Sequence, residues 1–365
     1  MDKKILHIPF GGLNRGGVSS VVFSIVENLY ETFEFDSVVF SKKCEREQEF
    51  ERYGNLYRIK GYPVDEKRDI IEQLFRPFVF TGSIYRLCKR NKYDVVHAHN
   101  GPDEGFCLLG AKLAGVPVRI AHSHNTASTR KRSAIIRIYE KIGRKLILAT
   151  ATDLIGCTEA ACKDFFGIER GYEVIYNSVN LERFNCKTPK TYDQTNFIHV
   201  GRYAYPKNQE KVLDVFHEIL KYRDDSKLLL VGFGENEEKL REKIHSLGIE
   251  KYVEMVPGNK TDVVPLYEQS NYMIFPSFYE GFGIVLIEAQ AMGVYCFVSD
   301  RIQPDANAGL MQVIELEKSA GEWAREILSK MENCKRQTIE PNNHLLAQFS
   351  TKVIAEQYKN LYMKK

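Results

Sequence analysis

Residues 276–293 read PSFYEGFGIVLIEAQAMG, a stretch that joins a glycine loop and two carboxylates to an apolar helix. Glu280 ends the loop, Gly281 and Gly283 open the helix, and Glu288 lies five residues after Gly283. Five residues of helix rise about 7–8 Å, which approximates the reach from a pyrophosphate to a ribose. We therefore expect the helix N-terminus to take phosphate oxygens, Glu288 to accept hydrogen bonds from ribose hydroxyls, and Glu280 to face a sugar.

Glu288 has a second interpretation, because its neighbours in the helix are apolar. A carboxylate in such surroundings needs a partner or an open cleft. It could form an ion pair inside a helix that packs on its sheet. The glycine loop and the second carboxylate, Glu280, favour the ligand-binding interpretation.

Short apolar runs alternate with longer amphipathic runs along the chain, which is typical of βα units around a parallel sheet. The strands predicted in the first half are Lys4–Pro9, Phe35–Phe40, Val95–His99, Arg119–Ser123, Asp153–Cys157 and Glu173–Tyr176. Those predicted in the second half are Thr195–Val200, Lys227–Val231, Val253–Met255, Tyr272–Pro276, Tyr295–Val298 and Gln312–Glu315. The predicted class is α/β, with two open parallel sheets whose strand ends face a central cleft.

The domain boundaries follow from a polar stretch with Pro189, near residues 180–196. The expected domains are residues 1–187 and 188–341. The segment 342–365 is expected to be a helix that returns toward the first domain. The main helices predicted between strands are Val18–Tyr30, Thr81–Arg90, Glu104–Ala114, Asn208–Tyr222, Asn236–Ser246, Asp262–Gln269 and Gly283–Met292.

Composition excludes several classes of protein. The chain has 365 residues, enough for two domains, and its net charge of +3 is too small to indicate a nucleic-acid partner. Eight cysteines without a CxxC pair fit free thiols in a reducing cytoplasm. No run of 18 apolar residues occurs, so we expect no transmembrane helix and only peripheral membrane contact.

Two further stretches are candidate phosphate sites. In PFGGLNRGGVSSVV (9–22), Gly16 and Gly17 precede a predicted helix, so backbone N–H groups could approach a phosphate. In HVGRYAYPKNQEKVL (199–213), Arg202 and Lys207 follow a strand and suit a pyrophosphate. The alternatives are a loop that only caps a helix and a pair of solvated surface cations.

These motifs resemble those of the retaining glycosyltransferases of family 4, which share the GT-B fold of two Rossmann-like domains. Residues Glu280 to Gly283 with Glu288 resemble the family's E-x7-E motif. Other stretches in the family's order and spacing are VVHAHN (95–100), IAHSHNT (120–126), DLIGCTEA (153–160), VIYNSVN (174–180), VGRYAYPKN (200–208), LLLVGFGE (228–235) and FPSFYEGFG (275–283). The segments VSDRI (298–302) and GEWAREIL (321–328) resemble bacterial capsule and exopolysaccharide enzymes most.

The resemblance implies donor-binding roles for the residues that match its motifs. Arg202 and Lys207 would bind the diphosphate and stabilise the departing nucleotide, and Glu280 would hold sugar hydroxyls. Glu288 would bind the ribose. The remaining donor-binding candidates are Gly16, Gly17, Gly232, Gly234, Gly281, Phe282 and Gly283.

His124 would lie beside the transferring sugar and is a catalytic candidate with Arg202, Lys207 and Glu280. Asn125 stands where many relatives carry Asp. Glu235, near the base, stands where relatives often have Pro. Without the family, His122 and His124 could equally be strand-end histidines in a polar turn.

The implied reaction is a metal-independent, retaining transfer of a hexose or N-acetylhexosamine from a nucleotide-sugar to a saccharide acceptor. A UDP-sugar donor and a lipid-linked acceptor are expected by subfamily analogy. No cofactor or metal is expected, because RDDSK (223–227) lies outside the predicted cleft and reads as a turn. Two alternatives remain, a sugar-nucleotide epimerase of the same fold and a non-catalytic nucleotide-sugar-binding subunit.

The stretch TRKRSAIIRIYEKIGRKLIL (129–148) predicts a basic amphipathic helix. Such a helix can lie on an anionic membrane, placing the enzyme peripherally on the inner face of the cell membrane beside a lipid-linked acceptor. Alternatively, its apolar side faces the core. The residues assigned to the acceptor or membrane side are Arg130, Lys131, Arg132 and Arg137.

Overall fold

The structure is a computed structural model, and it describes residues 3–10, 12–14, 16–40, 44–59, 70–99, 101–124, 133–186, 195–331 and 344–364. For the helix that begins at Ile70, side chains are described from Phe75 onward. The chain divides into two compact units, one formed by Met1–Ser178 with Thr351–Lys365 and the other by Val179–Ser350. The first segment of the first unit therefore ends at Ser178, just before the polar stretch 180–196 in which the domain boundary was expected.

The first unit contains a parallel sheet of seven strands in the order β3-β2-β1-β4-β5-β6-β7. Its strands are β1 (Lys4–Pro9), β2 (Glu34–Val39), β3 (Gly54–Arg58), β4 (Val95–His99), β5 (Val118–Ser123), β6 (Asp153–Gly156) and β7 (Glu173–Val174). Its helices are α1 (Gly17–Leu29), α2 (Glu47–Phe50), α3 (Ile70–Asn91), α4 (Glu104–Ala114), α5 (Ala134–Thr150), α6 (Glu159–Phe166) and, from the end of the chain, α13 (Thr351–Met363).

The second unit contains a parallel sheet of six strands in the order β10-β9-β8-β11-β12-β13. Its strands are β8 (Asn196–Val200), β9 (Lys227–Gly232), β10 (Val253–Pro257), β11 (Tyr272–Phe275), β12 (Tyr295–Ser299) and β13 (Met311–Ile314). Its helices are α7 (Gln209–Leu220), α8 (Glu237–Leu247), α9 (Val264–Glu268), α10 (Ile284–Ala291), α11 (Ala320–Met331) and α12 (His344–Ala347), with 3-10 turns at Tyr205–Lys207 and Pro304–Ala306.

The predicted α/β class with two parallel sheets is confirmed, and the local sequence explains it. Helix α4 ends at Gly115, whose φ of 88° is the left-handed conformation expected of a helix-ending glycine. The central strand β4 is buried along its whole length, as apolar strands covered on both faces should be.

Helix α13 belongs to the first unit, as expected of a C-terminal helix returning toward the N-terminal domain. Its residues Ile354, Tyr358, Leu361 and Tyr362 are buried in the core that also contains the apolar face of α1. The C-terminal helix therefore completes the first unit.

Three elements differ from the prediction. The helix expected over 342–365 is divided into α12, which belongs to the second unit, and α13, which belongs to the first. Strand β3 was not predicted, because GNLYR at the sheet edge is only partly buried and lacks an apolar run. Helix α3 was predicted to begin at Thr81 but begins at Ile70, although it contains a proline, a residue that usually ends or kinks a helix. The helix runs through Pro77, and its packing on α4 is tight, with Thr81 Oγ1 donating to the Phe106 carbonyl at 2.9 Å.

Among the helices of the described ranges, none combines the length and the apolar character that a membrane span requires.

Candidate functional site

In the second unit, two loops at the carboxyl ends of neighbouring strands are joined to each other. The turn Tyr205–Lys207 follows β8, and the loop from Pro276 follows the adjacent strand β11. The Phe278 N–H donates to the Pro206 carbonyl at 2.9 Å. The rings of Tyr205 and Phe278 stack with centroids 4.8 Å apart. These contacts fix the position of Lys207 relative to the glycine loop.

Lys207 and Glu280, both predicted site residues, meet at this junction. Lys207 Nζ donates to Glu280 Oε1, which also accepts from Ser277 Oγ at 3.1 Å. Glu280 is only 9% exposed, and the ammonium lies 5.5 Å from the centre of the Phe275 ring. A mostly buried carboxylate paired with an ammonium offers fixed donors and acceptors to a polar ligand.

Arg202 follows the same strand but reaches a different partner. Its backbone carbonyl accepts from Gln209 Nε2 at 2.7 Å, at the first residue of α7. Its side chain is 67% exposed and pairs with Glu235 at 3.3 Å. The arginine is thus held at its backbone, and its guanidinium is accessible to solvent.

Gly232 and Gly234 are required by packing against Tyr203. A Cβ at Gly232 would lie 2.2 Å from the Gly201 carbonyl oxygen and 2.5 Å from the Tyr203 ring. Gly234 has a φ of 149°, and its Cβ would lie 2.5 Å from the Tyr203 carbonyl oxygen. The fold of the second unit therefore explains both glycines without a ligand.

Helix α10 begins after Gly283, whose φ of 82° favours glycine. Phe282 is buried and contacts Phe349, with ring centroids 5.4 Å apart. Gly281 is buried as well. The glycine loop is thus anchored by Phe282 immediately before the helix N-terminus.

Glu288 lies on the second turn of α10 and accepts a hydrogen bond from the Tyr267 hydroxyl at 3.3 Å. Burial raises the pKa of Glu288 to about 7, although the Tyr267 bond and the charge of Arg183 act in the opposite direction. A carboxyl group with this pKa changes protonation near neutral pH.

In the first unit, Gly16 and Gly17 stand at the start of α1, and a Cβ on either would meet no atom within 4 Å. Gly16 has an extended φ of 169°, which any residue can adopt. Neither packing nor backbone conformation therefore requires glycine here. Just inside the helix, Ser19 Oγ is buried without a partner in the described part of the chain.

Five buried histidines lie together at the carboxyl ends of β1, β4 and β5. Alternation along the strands brings the side chains of His97 and His99 to one face, as it does for His122 and, just past the strand end, His124. The remaining ring, His7 on β1, is paired in register with His97. The ring contacts are His7–His99 at 2.9 Å, His99–His124 at 3.0 Å and His97–His122 at 3.1 Å, measured between nitrogens.

These histidines are neutral, because burial opposes a positive charge. Burial lowers the pKa of His7 and His124 to about 3. The pKa values of the other three lie well below the ordinary range, through burial and through repulsion between neighbouring rings. Two groups offer ring nitrogens within 4.8 Å of one another, a spacing that a metal ion could bridge: His7 with His97 and His99, and His99 with His122 and His124.

Helix α5 carries the predicted basic amphipathic stretch. It packs on the core through Tyr139, Leu146 and Ile147, whereas four of its isoleucines are exposed, namely Ile135, Ile136, Ile138 and Ile142. Ile138 is 61% exposed, and Arg137 is exposed beside it. Only Gly143, Ile147 and Thr150 of this helix are buried. The alternative in which the apolar side packs inward therefore holds for the C-terminal half of α5, and the exposed isoleucines do not follow it. Asn125, Arg130, Lys131 and Arg132 lie outside the described residues.

Sequence reasoning missed several partners of the predicted residues. Ser277 lies within the quoted stretch 275–283 but received no role, and Tyr267, the partner of Glu288, gave no motif signal. Tyr362 donates or accepts at 2.8 Å from His97 Nδ1, although the two are far apart in sequence. No motif indicated that His7 belongs to the cluster. The HxH patterns at 97–99 and 122–124, on neighbouring strands, could have indicated the cluster itself.

Two family models match the chain, one in each unit. The model described as "Glycosyltransferase Family 4" matches residues 15–183, and the one described as "Glycosyl transferases group 1" matches residues 182–335. The first match includes Gly16 and His124, and the second includes Lys207, Glu280 and Glu288.

The chain is also similar to bacterial proteins along its length. It is 29% identical to the putative glycosyltransferase EpsF of Bacillus subtilis (strain 168), covering 89% of this chain and 87% of that protein. It is 26% identical to the capsular polysaccharide biosynthesis glycosyltransferase CapH of Staphylococcus aureus, covering 99% of each. A third relative is the UDP-Gal:alpha-D-GlcNAc-diphosphoundecaprenol alpha-1,3-galactosyltransferase of Escherichia coli, 27% identical over 60% of each chain.

Among solved structures, Anabaena Alr3699/HepE in complex with UDP is similar in fold, with a TM-score of 0.75 and 16% identity over 98% of each chain. The predicted architecture of two Rossmann-like domains is therefore confirmed at the level of the fold.

Proposed function

We propose that this chain, which belongs to the glycosyltransferases described by the family 4 and group 1 models, transfers a sugar. The sugar is a hexose or an N-acetylhexosamine, the donor is a nucleotide-sugar and the acceptor is a saccharide. Its fold is of the GT-B type. We further propose that the transfer retains the anomeric configuration. The product would be part of a capsule or an exopolysaccharide, in keeping with the relative CapH.

The observation that carries this proposal is the junction of Lys207, Glu280 and Ser277. It fixes a mostly buried carboxylate and an ammonium at the carboxyl edge of a parallel sheet, where ligands bind in such folds. In the proposed reaction Glu280 accepts hydrogen bonds from donor-sugar hydroxyls. Glu288, farther along the same loop and helix, accepts them from the ribose.

The leaving group is a nucleoside diphosphate, whose negative charge grows as the glycosidic bond breaks. Arg202 and Lys207 stabilise this charge, together with the backbone N–H groups at the start of α10. The leaving phosphate takes the acceptor proton in a front-face reaction. Gly16 and Gly17 leave room for a phosphate at the start of α1.

The proposed reaction needs no metal ion, since protein cations supply the positive charge. The acidic pair Asp224–Asp225 lies in a turn that precedes β9. It therefore stands at the amino end of that strand, away from the carboxyl edge that carries Lys207 and Glu280. This position supports the view that the pair is not a metal-binding motif.

We propose UDP as the nucleotide, because the similar Anabaena protein is solved with UDP and the Escherichia coli relative is named for a UDP-sugar. The same relative is named for a diphosphoundecaprenol acceptor, which supports a lipid-linked saccharide as the acceptor.

A lipid-linked acceptor requires the enzyme to reach a membrane, and α5 supports that. Its exposed isoleucines alternate with basic residues such as Arg137 and Lys141, which suits an anionic lipid surface. We propose peripheral binding at the cytoplasmic face of the membrane. The described cysteines form no disulfide with one another, which suits a reducing compartment.

The first experiment is thermal-shift binding with UDP, GDP, ADP and their common sugar conjugates, with and without EDTA. Stabilisation by uridine compounds that EDTA does not change would support the proposal. Stabilisation by none of the compounds would contradict it.

A transfer assay then tests the reaction itself, with the product's anomeric configuration read by NMR. UDP release that depends on an acceptor, with an α-linked product from an α-linked donor, is expected. Interconversion of the donor sugar without any acceptor would identify an epimerase, and binding without turnover across an acceptor panel would identify a non-catalytic subunit.

A further inference from the structure

The five buried histidines and Tyr362 form one hydrogen-bonded chain. In order, its members are His122, His97, Tyr362, His7, His99 and His124. Within the described residues, each ring nitrogen has a partner except His122 Nε2 and His124 Nδ1, which are the two ends. The chain therefore has two open ends, and one of them is on the proposed catalytic histidine.

The geometry of the chain restricts its tautomers. Each bond between two rings joins the Nδ1 of one to the Nε2 of the other, as in His7 Nδ1 with His99 Nε2. A neutral imidazole carries one N–H and one bare nitrogen. When the Nε2 of one ring donates to the Nδ1 of the next, that next ring must carry its own proton on Nε2. Connected rings therefore share one tautomer.

Tyr362 connects the two runs of histidines and carries a single hydroxyl proton. Its oxygen lies 2.8 Å from His97 Nδ1 and 3.5 Å from His7 Nε2. The shorter distance suits the O–H donating to His97, because O–H donors make the shorter bonds. The tyrosine oxygen then accepts from the N–H at His7 Nε2.

We propose that Tyr362 holds all five histidines in the Nε2–H tautomer and thereby presents His124 Nδ1 as a bare acceptor for a hydroxyl group of the donor sugar. Tyr362 is a positioning residue that acts through His7 and His99. The hydrogen bonds between the rings require a common tautomer, and the shorter distance from Tyr362 to His97 selects the Nε2–H form. The sugar contact rests on the proposed function.

The alternative use of this cluster is metal binding, and the hydrogen bonds disfavour it. All but two of the ring nitrogens already pair with another ring or with Tyr362 in the described structure. A metal ion would have to displace these protons, and no carboxylate is among the partners of the rings to offset its charge.

The first test is a two-bond ¹H–¹⁵N correlation spectrum of the full chain labelled with ¹⁵N-histidine and free of ligand. The expected result is that these five rings all carry the proton on Nε2. A mixture of Nδ1–H and Nε2–H rings within the chain, or stoichiometric zinc retained on the purified protein, would overturn the proposal.

The second test compares Tyr362→Phe with Tyr358→Phe. Tyr358 lies on the same helix and its ring contacts His97 and His122, but its buried hydroxyl has no partner within the described residues. Tyr362→Phe should mix the tautomers and weaken UDP-sugar binding about tenfold, as expected for one hydrogen bond, without weakening UDP binding. Tyr358→Phe should change neither.

Equal effects of the two substitutions would assign Tyr362 a packing role and overturn the proposal. The result also separates this proposal from the proposed function. If the five rings show the Nε2–H form but no nucleotide-sugar binds, the transferase proposal fails and the tautomer order stands.

Discussion

Glu280 accepts a hydrogen bond from Lys207, a residue on the loop that follows the neighbouring strand. The pair unites the sugar-binding and phosphate-binding roles proposed for the second unit. A charge that is paired in a mostly buried place is costly to remove, because its partner remains there without compensation.

Glu280→Gln should lower kcat/KM for the donor by about 100-fold, because the sugar hydroxyls lose a charged acceptor and Lys207 loses its ion-pair partner. UDP itself should bind at least as well as before, since Lys207 remains. Isothermal titration and initial rates would measure both. Glu242→Gln, on an exposed site of α8, is the control. Turnover of Glu280→Gln within twofold of wild type would reduce Glu280 to a structural role.

The raised pKa of Glu288 leads us to expect that nucleotide binding depends on pH. Burial raises its pKa to about 7, so the side chain is neutral below that pH and ionised above it. The ionised form is the stronger acceptor for ribose hydroxyls. UDP affinity should therefore rise between about pH 6 and pH 8, by about tenfold for one charge-assisted bond.

Titration calorimetry of wild type and Glu288→Gln at three pH values isolates this effect from the titration of UDP itself. The variant should bind UDP weakly, and its affinity should vary less with pH. Glu268→Gln, an exposed carboxylate on α9, should behave like wild type. An identical pH profile for wild type and Glu288→Gln would show that the ribose is bound elsewhere.

Arg202→Ala should lower kcat far more than it weakens donor binding. The guanidinium is exposed and makes a surface ion pair with Glu235, so the fold does not depend on it. Its proposed role is to stabilise charge that develops on the leaving diphosphate, which is worth about 10²–10³ in kcat for a single donor group. Single-turnover rates and UDP titration separate the two effects.

Arg241→Ala provides a matched control, because Arg241 is also exposed and also pairs with a glutamate, Glu237 on the same helix. It should leave kcat unchanged. Equal losses in the two variants would point to a general effect of positive charge, and no loss in Arg202→Ala would remove Arg202 from the site.

The fold could be predicted largely from the sequence, because buried parallel strands read as short apolar runs. Strands such as β1 and β4 were predicted with their observed bounds. The failures lie where this signal is absent. Strand β3 is a partly buried edge, and α3 continues through Pro77, whose effect on a helix depends on tertiary packing.

The candidate site was less predictable, because its side chains depend on partners distant in sequence. Glu280 and Glu288 came from one local motif, but nothing local indicates that Glu280 pairs with Lys207. Tyr362 meets His97 across most of the chain, through a helix that follows the second unit. Contacts of this kind follow from the completed fold.

The predicted glycines divide into two kinds, which alanine substitution should distinguish. Gly232→Ala would place a methyl group against the Gly201 carbonyl and the Tyr203 ring, so we expect it to destabilise the protein by about 1–3 kcal/mol. Gly17→Ala meets no atom within 4 Å and should leave the unfolding midpoint unchanged. If Gly17 approaches the donor phosphates, the same variant should bind UDP-sugar more weakly.

Differential scanning fluorimetry and donor titration measure the two properties separately. A stable Gly17→Ala variant with wild-type donor affinity would exclude the phosphate role of this loop. A stable Gly232→Ala variant would show that Tyr203 can move, and the packing explanation for Gly232 would then be wrong.

Membrane binding should depend on the exposed apolar side chains of α5. Ile138 and Ile142 are exposed on a helix that also carries Arg137 and Lys141, a combination that lets apolar groups enter a lipid surface while the cations bind anionic headgroups. Ile138→Glu combined with Ile142→Glu should weaken cosedimentation with phosphatidylglycerol vesicles by about tenfold or more, since two exposed isoleucines that would enter the lipid are lost. Val353→Glu, an exposed apolar position on α13, is the control and should bind like wild type.

Activity on a water-soluble acceptor should survive in the double variant, because the change is confined to α5, whereas activity on a lipid-linked acceptor in vesicles should fall with binding. Vesicle binding that is unchanged in the double variant would mean that α5 is not the membrane-binding element.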